Sequence, residues 1–172
     1  MEFKKSCQSC QCCYTDRESE LEEYEHTHFA EAMVLSCIDY RFIDSVISFL
    51  ETDPVLAYKY DLSTLAGASL GYNQDKFKCW AKTFTQMTKI AIDLHSVKKI
   101  VIFDHMDCGA YAMFYPHITL GSEEERQLHI KNIKQCIEKL SLTFPELTYS
   151  AYLVHVDGLI ETIVNECKIV RN

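Results

Sequence analysis

Short, continuous runs of apolar residues alternate with longer segments of helical periodicity along most of this chain. The segments Ala32–Ser36 and Lys99–Phe103 are runs of the kind that form strands buried on both faces. Apolar residues recur at helical spacing over 43–50, 77–94 and 128–140. Strands that alternate with helices favour a parallel sheet with helices on its faces, so the pattern predicts an α/β fold.

Further strands follow from the same pattern. We expect one over Asp61–Leu65, leading into a tight turn, and another over Ala151–Val156. Asp157-Gly158 is a hairpin signal, which predicts that Leu159–Val164 returns antiparallel to the preceding strand. Ser122-Glu-Glu-Glu125 has the spacing of a capping box and predicts the start of a helix. The expected sheet is mostly parallel, with about four parallel strands plus an antiparallel edge strand, and is flanked by helices.

Size and charge exclude several classes of protein. With 172 residues, 48% of them hydrophobic, the chain suits one compact domain with a substantial core. Its net charge of −8 would be repelled by nucleic acid and by anionic membranes, so neither is expected as a partner. No apolar run approaches the ~20 residues that cross a bilayer.

The cysteine content bears on the cellular compartment. Nine cysteines are many for this length, and the number is odd. Disulfide frameworks suit short secreted chains, whereas this chain is long enough to fold without cross-links and shows no export signal. We therefore expect reduced thiols and a cytoplasmic protein.

Residues 1–28 differ in composition from the remainder and are predicted to form an arm that is mobile or packed on a partner subunit. Residues 29–172 are then a single α/β domain. The arm combines an acidic stretch with a cysteine cluster, Cys7, Cys10, Cys12 and Cys13. With His26 and His28 these thiols could form a metal site within the arm. We favour an arm without a metal, because adjacent Cys12 and Cys13 are awkward ligands for one tetrahedral ion.

Two polar clusters lie just past predicted strands, where open α/β sheets place their sites. The first is Cys37-Ile-Asp39-Tyr-Arg41, and the second is His105-Met-Asp-Cys108-Gly109. Residues two apart in an extended segment point the same way, so Cys37, Asp39 and Arg41 can share one face. Cys37, His105 and Cys108 make a soft ligand set that suits tetrahedral zinc and leaves a fourth position open.

Other interpretations of these clusters remain open. A lone cysteine at the end of a strand is usually a packing residue, and a His-x-x-Cys pair by itself is a weak signal. Asp39 could complete a closed, purely structural zinc site with four ligands. The positions of both clusters after strands, and the flanking acid and arginine, favour a working metal site.

Together the two clusters resemble the signature of the β-class carbonic anhydrases, Cys-x-Asp-x-Arg followed by His-x-x-Cys-Gly. Both motifs occur here in that order. Leu65-Ala66-Gly67 is similar to the family's Ala-Gly turn, and Leu153–Leu159 is similar to its terminal hairpin. The resemblance covers roughly residues 30–165.

The resemblance implies reversible hydration of CO2 to bicarbonate and a proton, with one zinc ion per chain held by Cys37, His105 and Cys108. Asp39 and Arg41 would be the catalytic residues. Two thiolates cancel the charge of Zn²⁺, so water is acidified less strongly than by zinc on three neutral histidines. Asp39 would either occupy the fourth position or be drawn away by Arg41 and accept a hydrogen bond.

The resemblance also implies a substrate pocket and an assembly. Gly67 and Gly109 would bind the substrate, and the protein would be a homodimer or a dimer of dimers, with residues 16–30 over the neighbouring subunit. Two positions depart from the family pattern: Asp104 replaces a glycine, adding an acid near the metal, and Thr64-Leu65 replaces Arg-Asn. The alternatives are therefore a hydrolase of carbonyl sulfide or carbon disulfide, or a catalytically silent zinc-stabilised dimerisation or binding module.

Overall fold

Five strands form one sheet in the computed structural model, which describes residues 28–169. In chain order they are β1 (Ala32–Ser36), β2 (Tyr60–Thr64), β3 (Lys99–His105), β4 (Thr148–Val154) and β5 (Ile160–Cys167). Their order across the sheet is β2-β1-β3-β4-β5, and only β5 is antiparallel to its neighbour. The predicted sheet of four parallel strands with an antiparallel edge strand is confirmed.

Five α-helices connect the strands within the described residues. They are α1 (Ile43–Thr52), α2 (Ser69–Asn73), α3 (Lys78–His95), α4 (Gly109–Phe114) and α5 (Glu123–Thr143). Short 3₁₀ turns precede α1 and α3, at Tyr40–Phe42 and Asp75–Phe77. The periodic segments of the sequence predicted α1, α3 and α5, whereas α2 and α4 span few residues and leave no periodic pattern.

Side chains of the central strands alternate between two cores, one on each face of the sheet. Val34 and Val101 pack with Leu50 of α1 on one face. Leu35 and Ile102 pack on the other face, where α3 and α5 contribute further apolar residues. All five residues of β1 are buried, because both faces of this strand are covered by helices.

The register of β1 and β3 determines where the site forms. These strands are parallel neighbours, with Ser36 paired to Phe103 at their carboxyl ends. The residues that follow Ser36 and Phe103 therefore emerge side by side at one edge of the sheet. This edge receives both polar clusters that the sequence singled out.

Some expectations fall outside the described residues, among them the N-terminal arm up to residue 27, its cysteines, His26 and most of segment 16–30. Within residues 28–169, all five cysteines are free thiols. The same part of the chain contains no helix that is both long and apolar enough to span a bilayer.

Candidate metal centre

Three buried side chains meet at the carboxyl ends of β1 and β3. Cys37 directly follows β1, His105 is the last residue of β3, and Cys108 directly precedes α4. Their ligand atoms all lie within 4.8 Å of one another. Within residues 28–169 this is the only such group of three or more side chains that could hold a metal ion.

The imidazole of His105 is oriented for coordination through one nitrogen. Its Nδ1 lies 2.9 Å from the carbonyl oxygen of Met106, which assigns the ring proton to Nδ1. The Phe42 ring stacks on the imidazole with centroids 4.2 Å apart and so fixes its plane. Nε2 is buried and has no hydrogen-bond partner in the described part of the chain. A buried nitrogen without a partner is costly, and a metal ion would satisfy it.

The two thiols shift each other's pKa in opposite directions. The Gly67 N–H lies 3.2 Å from Cys37 Sγ and donates a hydrogen bond to it. A hydrogen bond from the Cys108 thiol lowers the pKa of Cys37 to about 4, although burial opposes this shift. The same contact, together with burial, raises the pKa of Cys108. A divalent cation would bind both sulfurs as thiolates and displace the protons that they carry.

This donor set fits zinc. Two thiolates and one imidazole are ligands that zinc prefers, and tetrahedral bond lengths place such atoms about 3.5–3.8 Å apart. The separations within the cluster are compatible with that geometry. Three protein ligands would leave one position of a tetrahedral zinc for a further ligand, and Asp39 lies beside the cluster.

Asp39 and Arg41 form a close ion pair next to the ligands. Arg41 donates from Nε to Asp39 Oδ1 at 3.0 Å and from Nη2 to Asp39 Oδ2 at 2.7 Å. The hydrogen bonds from Arg41 lower the pKa of Asp39, which is therefore a carboxylate at neutral pH. Asp39 Oδ2 is 3.8 Å from His105 Nε2, so the carboxylate lies beside the ligand cluster and is held by the arginine.

Arg41 also contacts the second cluster. Its Nη1 donates to Asp107 Oδ2 at 2.8 Å, and its Nη2 donates to the Asp107 carbonyl oxygen at 2.9 Å. Asp107 has a φ of 57°, in the left-handed region that Asp tolerates better than most residues do. One guanidinium therefore joins the two segments that supply the ligands.

The two predicted glycines have different surroundings. Gly67 has a φ of +74°, and a Cβ there would meet the Cβ of Ala110 at 3.1 Å. Glycine at this turn lets the backbone approach the helix α4 and donate to Cys37. At Gly109 a Cβ would meet no atom within 4 Å, so close packing does not require glycine there. Substrate binding by Gly67 and Gly109 stays a prediction.

Asp104 lies in the interior of the fold. Its carboxylate accepts from the backbone N–H and hydroxyl of Ser69, from the Tyr111 hydroxyl and from His129 Nδ1. The residue is 1% exposed. Adjacent positions of a strand face opposite sides, so Asp104 points away from the side taken by His105. The carboxylate at the position where the family has glycine is thus directed into the core, where it accepts hydrogen bonds from the turn at α2.

Glu125 supports the segment that carries two of the ligands. Its carboxylate accepts from the backbone N–H groups of Asp107 at 3.1 Å, Cys108 at 2.9 Å and Gly121 at 2.5 Å. The predicted capping box is only half formed: Ser122 Oγ accepts from the Glu125 N–H, but the glutamate side chain serves the metal-site loop. Sequence spacing could not reveal this role, because the contacts join residues far apart in the chain.

His129 lies between the two buried acids. Its Nδ1 is 2.9 Å from Asp104 Oδ2 and its Nε2 is 3.5 Å from Glu125 Oε1. Burial lowers the pKa of His129, but the two carboxylates more than offset this and raise it above its usual value. Burial alone would raise the pKa of Glu125, whereas the nearby His129 imidazole and the hydrogen bonds from backbone N–H groups hold it at about 2. We call Asp104, His129 and Glu125 the buried triad.

Fold and site together define an α/β protein with a Cys₂His candidate metal centre at the carboxyl edge of a parallel sheet. The sequence model of a family described as "Putative carbonic anhydrase" matches residues 26–164. This match spans most of the chain, and the protein therefore belongs to the carbonic anhydrase family.

The chain is also similar to two sequence relatives and, in fold, to several solved structures. An uncharacterized protein of Rickettsia bellii is 32% identical over 140 residues, covering 78% of this chain and 82% of its own. An uncharacterized protein of Rickettsia conorii is also 32% identical over 140 residues, covering 78% and 72%. The β-carbonic anhydrase CafA of Aspergillus fumigatus has a TM-score of 0.56 at 14% identity, covering 87% of this chain and 83% of its own. A tetrameric β-carbonic anhydrase of Sordaria macrospora has a TM-score of 0.53 at 15% identity, covering 88% and 93%. The fold is that of the β-class enzymes.

Proposed function

We propose that this protein binds one zinc ion per chain through Cys37, His105 and Cys108 and catalyses the reversible hydration of CO2 to bicarbonate. The observation that carries the proposal is the convergence of a buried Cys₂His cluster with an acid–arginine pair at 3.8 Å from the histidine. A structural zinc site has no need of a paired arginine beside it. Membership of the carbonic anhydrase family supports CO2 as the substrate.

Asp39 and Arg41 are the residues that take part in catalysis. When bound, zinc supplies the Lewis acidity that makes water nucleophilic near neutral pH. Asp39 is held as a carboxylate by Arg41, so its Oδ2 can accept a hydrogen bond from the attacking water and orient it. Asp39 can also leave Arg41 and serve as a fourth ligand, which would close the site. Arg41 thus determines which role Asp39 has.

Surrounding groups keep the ligands in place. Gly67 donates to Cys37, the Met106 carbonyl fixes the His105 tautomer, and Glu125 holds the backbone at Cys108. Such outer contacts commonly change metal affinity about 10–100-fold when removed. The chain therefore supplies a ligand set with each member separately supported.

The proposal is tested by stopped-flow CO2 hydration on zinc-loaded protein. We expect activity in the wild type and a loss of roughly a hundredfold in Asp39→Ala and Arg41→Ala. Zinc content should be one ion per chain and should fall in Cys108→Ser, whereas the exposed-thiol control Cys79→Ser should retain it. Negligible hydration by zinc-loaded wild type between neutral and alkaline pH would refute the proposed hydration of CO2. Turnover of carbonyl sulfide or carbon disulfide instead would reassign the substrate, and no turnover of any of them would leave the zinc-stabilised binding module.

We further propose a homodimer or a dimer of dimers in the cytoplasm. The Sordaria macrospora neighbours in fold are tetrameric, which supports assembly of this chain. Sedimentation velocity of the full chain tests the proposal, and a fully active monomer would contradict it.

A further inference from the structure

We propose that Asp107 is a positioning residue that holds Arg41 on the loop after β3 and thereby keeps Asp39 off the metal. The inference rests on the proposed zinc site and assigns a role to an acid that belongs to neither the ligands nor the Asp39–Arg41 pair. It concerns an equilibrium between an open site, in which Asp39 is held by Arg41, and a closed site, in which Asp39 is the fourth ligand of the metal.

The guanidinium of Arg41 is divided between two carboxylates on different segments. Nε and Nη2 face Asp39, while Nη1 and Nη2 face the Asp107 side chain and carbonyl. Nη2 serves both acids, at 2.7 Å and 2.9 Å. All three nitrogens of the guanidinium are therefore committed to these two partners.

The contact with Asp107 fixes Arg41 in a way that Asp39 cannot. Asp39 and Arg41 are two residues apart in one turn, so the pair could move toward the metal as a unit. Asp107 is 66 positions away in sequence and belongs to the segment that carries His105 and Cys108. Arg41 bonded to Asp107 stays where it is, and Asp39 must leave it to reach the metal.

Asp107 is itself held firmly. Its backbone N–H donates to Glu125 Oε2 at 3.1 Å, and Glu125 is fully buried. Its left-handed φ of 57° directs both the side chain and the carbonyl oxygen to Arg41. The contacts therefore run from the buried triad through Asp107 and Arg41 to Asp39. The triad is held in place, whereas Asp39 can move.

The distance that Asp39 has to cover is short. Asp39 Oδ2 is 3.8 Å from His105 Nε2, and a nitrogen and an oxygen ligand of one tetrahedral zinc would be about 3.3–3.5 Å apart. If Asp107 loses its charge, Arg41 is held less firmly and can follow Asp39. The population of the closed arrangement, with Asp39 at the fourth position, then increases. The side chains of Arg41 and Asp107 are 41% and 38% exposed, which limits the effect to roughly a threefold to fivefold change in an equilibrium.

Removal of the Asp107 charge should change the affinity for an anion at the open fourth position. A positioning role of Asp107 and a purely electrostatic role predict opposite signs for this change. Removing the negative charge of Asp107 would by itself strengthen anion binding near the site. Releasing Arg41 would weaken anion binding, because Asp39 would occupy the fourth position more of the time. The sign of the change therefore separates the two effects.

The experiment is a titration of cobalt-substituted protein with azide at one fixed pH, followed by the visible absorption of the metal. We expect Asp107→Asn to raise the azide Kd roughly threefold to fivefold. The matched control Asp93→Asn removes one negative charge at an exposed position of α3 and should leave the Kd unchanged. In an Asp39→Ala background, which has no carboxylate to close the site, Asp107→Asn should leave the Kd unchanged or slightly lower.

Two results would overturn the inference. One is an azide Kd in Asp107→Asn that equals or falls below that of wild type. The other is weakening of the same size in the Asp39→Ala background, which would indicate general damage to the site. Because the titration uses no CO2, protein that fails to hydrate CO2 can still pass this test, so the proposed function and the inference fail separately.

Discussion

Two clusters of charged side chains contact the same loop between His105 and Cys108, and they differ in burial. Arg41 and Asp107 keep 41% and 38% of their side chains exposed, whereas His129 and Glu125 of the buried triad expose none. Exposed ion pairs contribute little to stability and can exchange partners, while buried ones are costly to break. The contrast suggests that the exposed side of the loop is built for rearrangement and the buried side for fixed support.

The largest expected effect comes from removing the centre of the buried triad. His129→Ala leaves the Asp104 and Glu125 carboxylates buried without their shared partner, which should lower the free energy of unfolding by about 3–5 kcal/mol. Urea unfolding of zinc-loaded protein measures this change. Glu124→Ala, at an exposed position of the same helix, should change it by less than about 0.5 kcal/mol. Equal effects of the two variants would mean that the triad gives no special support.

The pH dependence of stability tests the contribution of Glu125 to the same triad. The pKa of Glu125 is depressed to about 2, so its contribution to stability is fully present above its unfolded pKa of about 4.3 and is lost as pH falls toward 2. The contribution is on the order of 3 kcal/mol. Unfolding free energies measured from pH 6 to 2.5 should fall more steeply in wild type than in Glu125→Gln. Parallel curves would contradict this assignment.

The smallest effect on stability is expected on the exposed side. Arg41→Ala should lower the free energy of unfolding by less than about 1 kcal/mol, because the pair is open to solvent and screened. Urea unfolding measures this value, and CO2 hydration of the same sample should nevertheless fall roughly a hundredfold. If Arg41→Ala lowered the free energy of unfolding as much as His129→Ala does, the proposed difference between the two clusters would be wrong.

The fold followed from the sequence where periodicity was strong. The strand of residues 32–36 and the helices α1, α3 and α5 match their apolar patterns, because burial on one or both faces fixes those patterns directly. Helices α2 and α4 have too few turns to show a period. The sequence also ended β3 at Phe103, whereas the strand continues through Asp104 and His105. Strand alternation therefore places Asp104 on the face opposite His105.

The candidate metal ligands and the residues that support them differ in how far the sequence reveals them. The grouping of Cys37, His105 and Cys108 was predictable, because their motifs follow neighbouring parallel strands. The roles of Glu125 and His129 were not, because they depend on how α5 packs against the loop after β3. A Ser-x-x-Glu spacing has the same appearance whether the glutamate caps its own helix or a distant loop. The contact between Arg41 and Asp107 is likewise a product of tertiary structure.

The pairing of β1 with β3 has a consequence for the order of events in folding. These strands are separated in the chain by β2 and three helices, yet they form the centre of the sheet. Pairing over such a distance requires closure of a long loop and is intrinsically slow. Cys37 therefore meets His105 and Cys108 only once most of the chain has been synthesised and the middle of the sheet has formed. The proposed metal uptake should therefore be a late step that reports the pairing of β1 with β3.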